Sequence, residues 1–215
     1  GNIDPEQSDY FQATKGGGHG DYRLIVLAPA YVQEMHDFAA MAFDLADKYR
    51  NPVMILTDGR LGQMMEPLEM WEKKPELPVK EWALTGAKGR PQNIVRSYFS
   101  VEGVLEKHNA KIQEKLRQVE AAETRHETWQ MEDAKVMLTG YGTCARLCRE
   151  VVKKCRDEGI AAGLLRPISL WPFPAKGYQE YLGQVKNILV IEMNAGQMVE
   201  DVRLSVNGQV TVHFY

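Results

Sequence analysis

The pattern of apolar and polar positions divides the chain into three stretches. After a polar N-terminal stretch, Leu24-Ile25-Val26-Leu27 is a run of four apolar residues that predicts a strand buried on both faces. Pro29 stops it, and from Val32 to Tyr49 the apolar positions Met35, Phe38, Ala39, Ala42, Leu45, Ala46 and Tyr49 recur at steps of three and one, the face of an amphipathic helix. Asn51-Pro52 ends that helix, and Val53-Met54-Ile55-Leu56 predicts a second buried strand closed by Asp58-Gly59. Strand, helix and strand in about 30 residues predict a parallel βαβ crossover.

The middle stretch behaves differently. Pro67, Pro75, Pro78 and Pro91 and a scarcity of branched aliphatics predict an irregular traverse. Over residues 67–132 cations and carboxylates balance at eleven each, so this is not a basic arm. From about 102 to 127 the chain has no proline and is rich in Glu, Lys, Gln and Ala, which predicts a long helix with the narrow stripe Leu105, His108, Ile112, Leu116 and Val119. Too few heptads follow for a coiled coil. The third stretch predicts a strand at 136–138, a helix N-capped by Thr143 and running to Glu158 with Gly159 at its C-terminal turn, and a strand from Ala161 to Leu165. Beyond the Trp171-Pro172-Phe173-Pro174 loop come a short helix from Tyr178 to Gln184, a strand from Asn187 to Ile191, a helix from Gln197 to Val206 and a last strand from Val210 to Phe214. These read as an α/β unit with a mostly parallel sheet. The expected organisation is 1–66, 67–132 and 133–215.

Composition excludes several classes. The 215 residues are 44% hydrophobic and 26% charged, as in an ordinary globular chain that buries a core without staples. Twenty-six Lys and Arg against 29 Asp and Glu give a net charge of −3, which argues against nucleic acid as a partner. No apolar run reaches the ~18–20 residues of a membrane span, and Gly1-Asn2-Ile3-Asp4-Pro5-Glu6 is too polar and acidic for a signal peptide. Cys144, Cys148 and Cys155 fall on one helix near its apolar face, without a CxxC pair, so they read as buried thiols in a reduced, cytoplasmic chain rather than as a disulfide framework or a metal site. His19, His36, His108, His126 and His213 are scattered and predict no metal site.

Two glycine-rich segments carry candidate chemistry. Gly140-x-Gly142-x-x-Ala145 follows a strand and opens a helix, the minimal setting of a dinucleotide fingerprint. The acidic residue such a site needs ~20 positions on is missing, since Leu165-Arg166-Pro167 stands there. A nicotinamide site and a plain βα turn therefore both stand as readings. Lys15-Gly16-Gly17-Gly18-His19-Gly20-Asp21 puts four glycines around one His, at a cost in backbone entropy that suits close approach to a ligand, although a surface loop also fits. Asp58-Gly59 ends a parallel strand, where α/β proteins tend to place ligands, and a plain turn is equally compatible.

Longer words are more specific. Gln7-Ser8-Asp9-Tyr10, Lys15-Gly16-Gly17-Gly18-His19-Gly20-Asp21-Tyr22-Arg23, Leu45-Ala46-Asp47-Lys48-Tyr49-Arg50-Asn51-Pro52-Val53 and Asp58-Gly59 with Gly62-Gln63-Met64-Met65-Glu66-Pro67 form one ordered series. Leu164-Leu165-Arg166-Pro167-Ile168, Leu170-Trp171-Pro172-Phe173-Pro174 and Glu192-Met193-Asn194 with Gly196-Gln197-Met198-Val199-Glu200-Asp201-Val202-Arg203 continue it. With these words the chain resembles the α subunit of the 2-oxoacid:ferredoxin oxidoreductases, the branched-chain 2-ketoisovalerate type above all, over both outer stretches.

The resemblance implies an α/β fold made of the C-terminal half of a thiamine-diphosphate pyrimidine-binding domain and a transketolase C-terminal-like domain. It implies oxidative decarboxylation of a 2-oxoacid to acyl-CoA, with coenzyme A as co-substrate and electrons passed to ferredoxin. Thiamine diphosphate with Mg²⁺ is shared with a β subunit, iron–sulfur clusters sit on other subunits, and β, γ and δ-type subunits are the partners. The family's N-terminal Tyr-Pro-Ile-Thr-Pro segment and its cofactor-activating Glu have no match here, so the resemblance implies an N-terminally truncated chain, inactive alone, whose main catalytic residues lie elsewhere. Gln7, Ser8, Asp9, Lys15, His19, Asp58 and Gly59 are the expected cofactor-binding or site-lining residues, with Lys15 and His19 offering charge or hydrogen bonds to a 2-oxoacid carboxylate. A noncatalytic assembly role for the C-terminal stretch is the alternative, and the open edge of an incomplete sheet favours a homodimer. Two positions depart from the family. Tyr31 replaces a small capping residue three positions before Glu34, and Arg60 replaces an apolar residue after Asp58-Gly59 where another subunit would dock.

Overall fold

The computed structural model describes residues 4–72 and 79–215. Gly1, Asn2 and Ile3 of the N-terminal reading, and Pro75 and Pro78 of the middle traverse, lie outside the described residues. The elements in chain order are α1 (Tyr10–Lys15), β1 (Ile25–Leu27), α2 (Val32–Tyr49), β2 (Val53–Ile55), a 3₁₀ turn (Leu61–Gln63), α3 (Val104–Glu123), β3 (His126–Trp129) and β4 (Val136–Thr139). They continue as α4 (Gly142–Asp157), β5 (Ala162–Pro167), β6 (Ser169–Trp171), α5 (Ala175–Gln179), β7 (Asn187–Val190), α6 (Met198–Val206) and β8 (Thr211–Phe214).

Two sheets result. The five-stranded sheet runs β3-β5-β4-β7-β8, with β5, β4, β7 and β8 parallel and β3 antiparallel on the edge. Its two faces follow from the period of two along each strand. Leu138 and Leu164 point to Cys148 and Val152 of α4, and Met137 and Leu165 point the other way, into the cluster that holds Tyr178, Met198 and Val202. This is the mostly parallel α/β unit that the pattern predicts, with Cys144 and Cys148 as small apolar residues and Cys155, against expectation, only half-buried. Cys144 and Cys148 are buried, and burial pushes both thiols up to about 12. Among the described residues no group of three His, Cys, Asp or Glu side chains is placed to hold a metal ion, and no helix is long and apolar enough to cross a membrane.

The smaller sheet runs β2-β1-β6. The βαβ crossover is present, with β1 and β2 parallel, but β2 is only half-buried because it is an edge strand. β6 pairs antiparallel with β1, and the sequence pattern had treated Trp171 as the start of a loop. A strand of three residues carries too short a period to be read from sequence. Through it, one apolar cluster runs from Ile25, Val26 and Leu27 to Met137 and Ile188 of the large sheet.

Other elements depart from expectation. α1 arises in a segment read as polar, because Tyr10, Ala13 and Thr14 form a buried face one turn long. The long helix ends at Glu123, and His126-Glu127-Thr128-Trp129 continues as strand β3, where Thr124 already has extended backbone. Only the C-terminal half of its stripe, Leu116 and Val119, is buried, and Leu105 is exposed. α5 begins at Ala175 rather than Tyr178. Thr143 does not cap α4; Tyr141 is the N-cap residue and makes no side-chain cap. Gly159, at φ 81°, follows the end of α4 as its position predicted.

Tyr31 takes the N-cap position of α2 without capping it. The helix N-terminus is served by two carboxylates instead. Glu34 accepts from the Ala30 N–H at 2.7 Å and Glu66 from the Val32 N–H at 2.9 Å. The Tyr31 ring stacks under Arg146 at 4.9 Å and lies 5.9 Å from the buried Arg166. Arg166 in turn donates to Glu34 at 2.7 Å, and Arg146 pairs with Glu66 at 2.7 Å.

Glu123 ties the end of α3 to α2. It is 3% exposed and accepts from Tyr49 Oη at 2.6 Å, Lys48 Nζ at 2.9 Å and Arg125 Nη1 at 2.8 Å. Burial alone raises its pKa, but the three donors outweigh it and the carboxyl ends below the usual glutamate range. A lowered native pKa means the stabilisation is complete above the unfolded-state value and is lost as pH falls through the native one. Urea titrations of wild type and Glu123→Gln are therefore expected to differ by about 1–3 kcal/mol at pH 7, the gap shrinking as pH falls below the ordinary glutamate value of about 4.3. A gap that stays the same or widens below that pH contradicts this.

Candidate functional site

The seven expected site residues fall into two places. Gln7 and Asp58 are buried where the C-terminal ends of β2 and β4 meet, while Lys15 ends α1 and His19 stands on the loop between it and β1. Ser8 and Asp9 lie exposed between them at the start of α1, and Gly59 is exposed beside Asp58.

Asp58 holds the first place together. Its Oδ1 accepts from the N–H groups of Arg60 at 3.1 Å and Leu61 at 3.0 Å and from Thr143 Oγ1 at 2.7 Å, and its Oδ2 accepts from the Thr143 N–H at 3.0 Å. One carboxylate thus closes the turn after β2 and supplies the negative charge at the N-terminus of α4. This explains why Thr143 is not the cap: its hydroxyl and amide both donate to a carboxylate 85 positions away. Gln7 lies alongside. Its side chain donates to the Tyr141 carbonyl at 3.0 Å and accepts from the Met193 N–H at 3.2 Å, and its own carbonyl accepts from Tyr141 Oη at 3.1 Å. Gln7 and Asp58 therefore spend their polar atoms inside the protein.

The same geometry decides the Gly140 to Thr143 turn. Gly142 has φ +56°, and a Cβ there would stand 2.8 Å from Asp58 Oδ2 and 3.1 Å from Gln7 Nε2. At Gly140 it would meet the Ile191 carbonyl at 3.0 Å. The glycines allow close approach, as a dinucleotide fingerprint would require, but the group that approaches is the chain's own carboxylate. The nicotinamide reading is corrected accordingly. At the end of α6 nearest this turn, Glu192 plays the equivalent part, accepting from the Met198 and Val199 N–H groups at 2.8 and 2.9 Å.

The second place is open. Two adjoining depressions of about 650 and 470 Å³ share Arg23, Glu120 and Trp171 as walls. The larger is bordered by His19, Asp21 and Tyr22 of the glycine-rich loop, with Ile112, Leu116 and Arg117 of α3 opposite. The smaller is bordered by Lys15, Lys176 and Asp201. The loop holds its shape through Gly16 at φ 92° and Gly20 at φ 107°, and the Gly17 N–H donates to Tyr22 Oη at 2.9 Å. Lys15 forms an ion pair with Asp201, which also accepts from the buried Tyr10 hydroxyl at 2.6 Å. Burial first, then the Asp201 charge, raises the Tyr10 pKa, so the phenol stays a donor. Lys15 is thus anchored at the loop's base, and His19 and Arg23, whose Nη1 donates to the Tyr22 carbonyl at 2.8 Å, border the larger cavity. Sequence reading missed Arg23, Glu120 and Trp171, which come from three separated elements and share no local pattern.

Comparison with known proteins adds an independent line. Residues 1–134 match the family model described as pyruvate flavodoxin/ferredoxin oxidoreductase, thiamine-diphosphate-binding, and residues 134–215 match pyruvate:ferredoxin oxidoreductase core domain II. The chain is 47% identical over 206 residues to ketoisovalerate oxidoreductase subunit VorB of Methanothermobacter thermautotrophicus, covering 95% of this chain and 58% of that protein. It is 32% identical over 222 residues to 2-oxoglutarate synthase subunit KorA of Methanocaldococcus jannaschii, covering 91% of this chain and 59% of that one. The chain thus spans somewhat over half the length of these relatives. A solved 2-oxoglutarate:ferredoxin oxidoreductase from Magnetococcus marinus, with 2-oxoglutarate, coenzyme A and succinyl-CoA bound, has the same fold at a TM-score of 0.76 and 24% identity, covering 98% of this chain and 42% of that chain.

Gly142→Ala is expected to destabilise the protein by about 2–4 kcal/mol, from the left-handed backbone and the displaced Asp58 carboxylate together. Thermal or urea unfolding checks it. A variant within 0.5 kcal/mol of wild type, roughly the surface-substitution range, would mean the turn is roomier than its geometry states.

Proposed function

The chain belongs to the pyruvate flavodoxin/ferredoxin oxidoreductase family, in its thiamine-diphosphate-binding part, and from that premise we propose that it is part of the α subunit of a 2-ketoisovalerate:ferredoxin oxidoreductase. The observation that carries the substrate class is the identity of 47–48% over 95% of the chain to two VorB subunits, against 30–32% to KorA subunits. In this reading the enzyme oxidises a branched 2-oxoacid to its acyl-CoA and delivers the electrons to ferredoxin, in company with β, γ and δ-type subunits. In this reading 1–66 is a partial pyrimidine-binding domain, 67–132 a linker that carries the long helix, and 133–215 a transketolase C-terminal-like domain.

The residues of the open groove fit one end of thiamine diphosphate and its substrate. Trp171, Leu116 and Ile112 offer an apolar wall, and His19, Arg23 and Glu120 offer polar side chains beside it. The metal–diphosphate end would be held by another subunit. When bound, the thiazolium ring supplies the carbanion and stores the electrons released on decarboxylation. The work of this chain is to orient. His19 and Arg23 hold the 2-oxoacid carboxylate by charge-assisted hydrogen bonds, and Lys15, through Asp201 and Tyr10, fixes the base of the loop that carries His19.

The exposed apolar side chains of the middle segment support life inside an assembly. Met70, Val79, Leu84, Val95 and Tyr98 are each at least 70% exposed, far more than an isolated chain normally leaves bare over one stretch. An assembly role alone, without substrate contact, is the second reading. It is favoured only for the Asp58–Thr143 region, whose polar atoms are already satisfied.

The test is CoA-dependent reduction of a viologen dye by the intact oxidoreductase. kcat/KM is expected to be highest for 2-ketoisovalerate, ahead of 2-oxoglutarate and pyruvate. A preference for 2-oxoglutarate overturns the substrate class. In the same assay His19→Ala is expected to raise KM for the 2-oxoacid about tenfold, the loss of one charge-assisted hydrogen bond. Unchanged KM and kcat in both His19→Ala and Lys15→Ala would remove the loop from the site and leave the assembly reading.

A further inference from the structure

On the other flank of α3 lies a third depression, of about 850 Å³, that the proposed reaction does not use. Four cationic side chains border it: Arg50 at the C-terminal end of α2, Arg96 on the extended segment, and Lys111 and Lys115 one turn apart on α3. None of the four forms an ion pair among the described residues. The one carboxylate on the rim, Glu114, is already held by Arg117 through bonds of 3.0 and 2.7 Å. Lys115 is fixed in place by Asn51 Oδ1 at 3.0 Å, and burial first, then the neighbouring Arg50 charge, lowers its pKa. Four like charges around one depression repel one another, and an anion bound there relieves that repulsion.

The remaining wall is apolar and aromatic. Tyr49, Ile94, Val95 and Ile112 line it, and the Phe99 ring lies 4.7 Å from the His108 ring, tilted by 37°. Arg50 lies over the Trp82 ring at 5.2 Å, which leaves its guanidinium without a carboxylate, and flat apolar surface beside a group of cations that form no ion pair among the described residues matches a ligand with an aromatic base at one end and several phosphates at the other. The cations come from three elements, α2, the extended segment and α3, so the cradle exists only in the folded chain.

We propose that this groove is a binding site for a nucleoside polyphosphate, its phosphates facing Arg50, Arg96, Lys111 and Lys115 and its base lying against Phe99 and Tyr49. The site is separate from the groove at the glycine-rich loop and does not rest on the assignment of the reaction. α3 contributes Ile112 to both cavities, so occupation of one side bears on the helix that walls the other.

Calorimetric titration of the purified protein with ATP, tripolyphosphate and adenosine, at one ionic strength, tests this. ATP is expected to bind saturably and more tightly than tripolyphosphate. Arg96→Ala and Lys111→Ala, both exposed and free of structural bonds, are each expected to weaken ATP about tenfold or more. Phe99→Ala is expected to weaken ATP while leaving tripolyphosphate unchanged. The proposal is overturned by absence of saturable ATP binding, by ATP affinity that survives both charge removals, or by tripolyphosphate binding as tightly as ATP.

Discussion

The Asp58 carboxylate, four hydrogen bonds deep and 4% exposed, is where the two sheets of this protein meet. It ends β2, closes the turn into the 3₁₀ segment and neutralises the N-terminus of α4 in one place. Charge-assisted bonds to buried N–H groups are worth roughly 1.5–3 kcal/mol each before mutual overlap, more than any exposed ion pair in the chain can supply. Gln7 adds a second stitch from the N-terminal segment to Tyr141 and Met193. Because both residues are anchored there, α1 and the glycine-rich loop that follows it start from a fixed point, and the groove along α3 has a defined far wall.

That arrangement assigns different work to the charged residues around it. At the α2 N-terminus, Arg146 and Arg166 are answered by Glu66 and Glu34, and Tyr31 fills the space between them. At the end of α3, Glu123 is answered by Lys48 and Arg125. In these clusters every cation has a carboxylate beside it, and they hold the fold. Arg23 on one flank of α3, and Arg50, Arg96, Lys111 and Lys115 on the other, form no ion pair among the described residues, although Asp21, Glu120 and Glu114 border the same cavities. Unanswered charge beside a cavity, rather than charge as such, distinguishes the surfaces offered to ligands.

Much of this was legible in the sequence where the signal is local. The βαβ crossover follows from Val26 and Val53 flanking a helix of period 3.6, the buried cysteines from their spacing on α4, and Gly159 from its place after that helix. The ordered words from Gln7 to Arg203 carried the family. What was hidden depends on partners distant in sequence. β6 exists because Trp171 and Ser169 meet β1, and nothing in three residues announces that. Asp58 and Gly142 each looked like ligand-binding signals because a carboxylate after a strand and a glycine turn before a helix are what such sites use. They satisfy each other, and only the folded chain brings them together. Tyr31 read as a lost cap, and the loss is made good by Glu66, 34 positions away.

The most direct test of the junction is a double-mutant cycle between Asp58→Ala and Thr143→Val, read by equilibrium urea unfolding. A hydroxyl-to-carboxylate bond at 2.7 Å in a buried site predicts a coupling free energy of at least about 1.5 kcal/mol. A coupling near zero, with the two single variants simply additive, would mean that Asp58 stabilises only its own turn and that the junction of the two sheets does not depend on it.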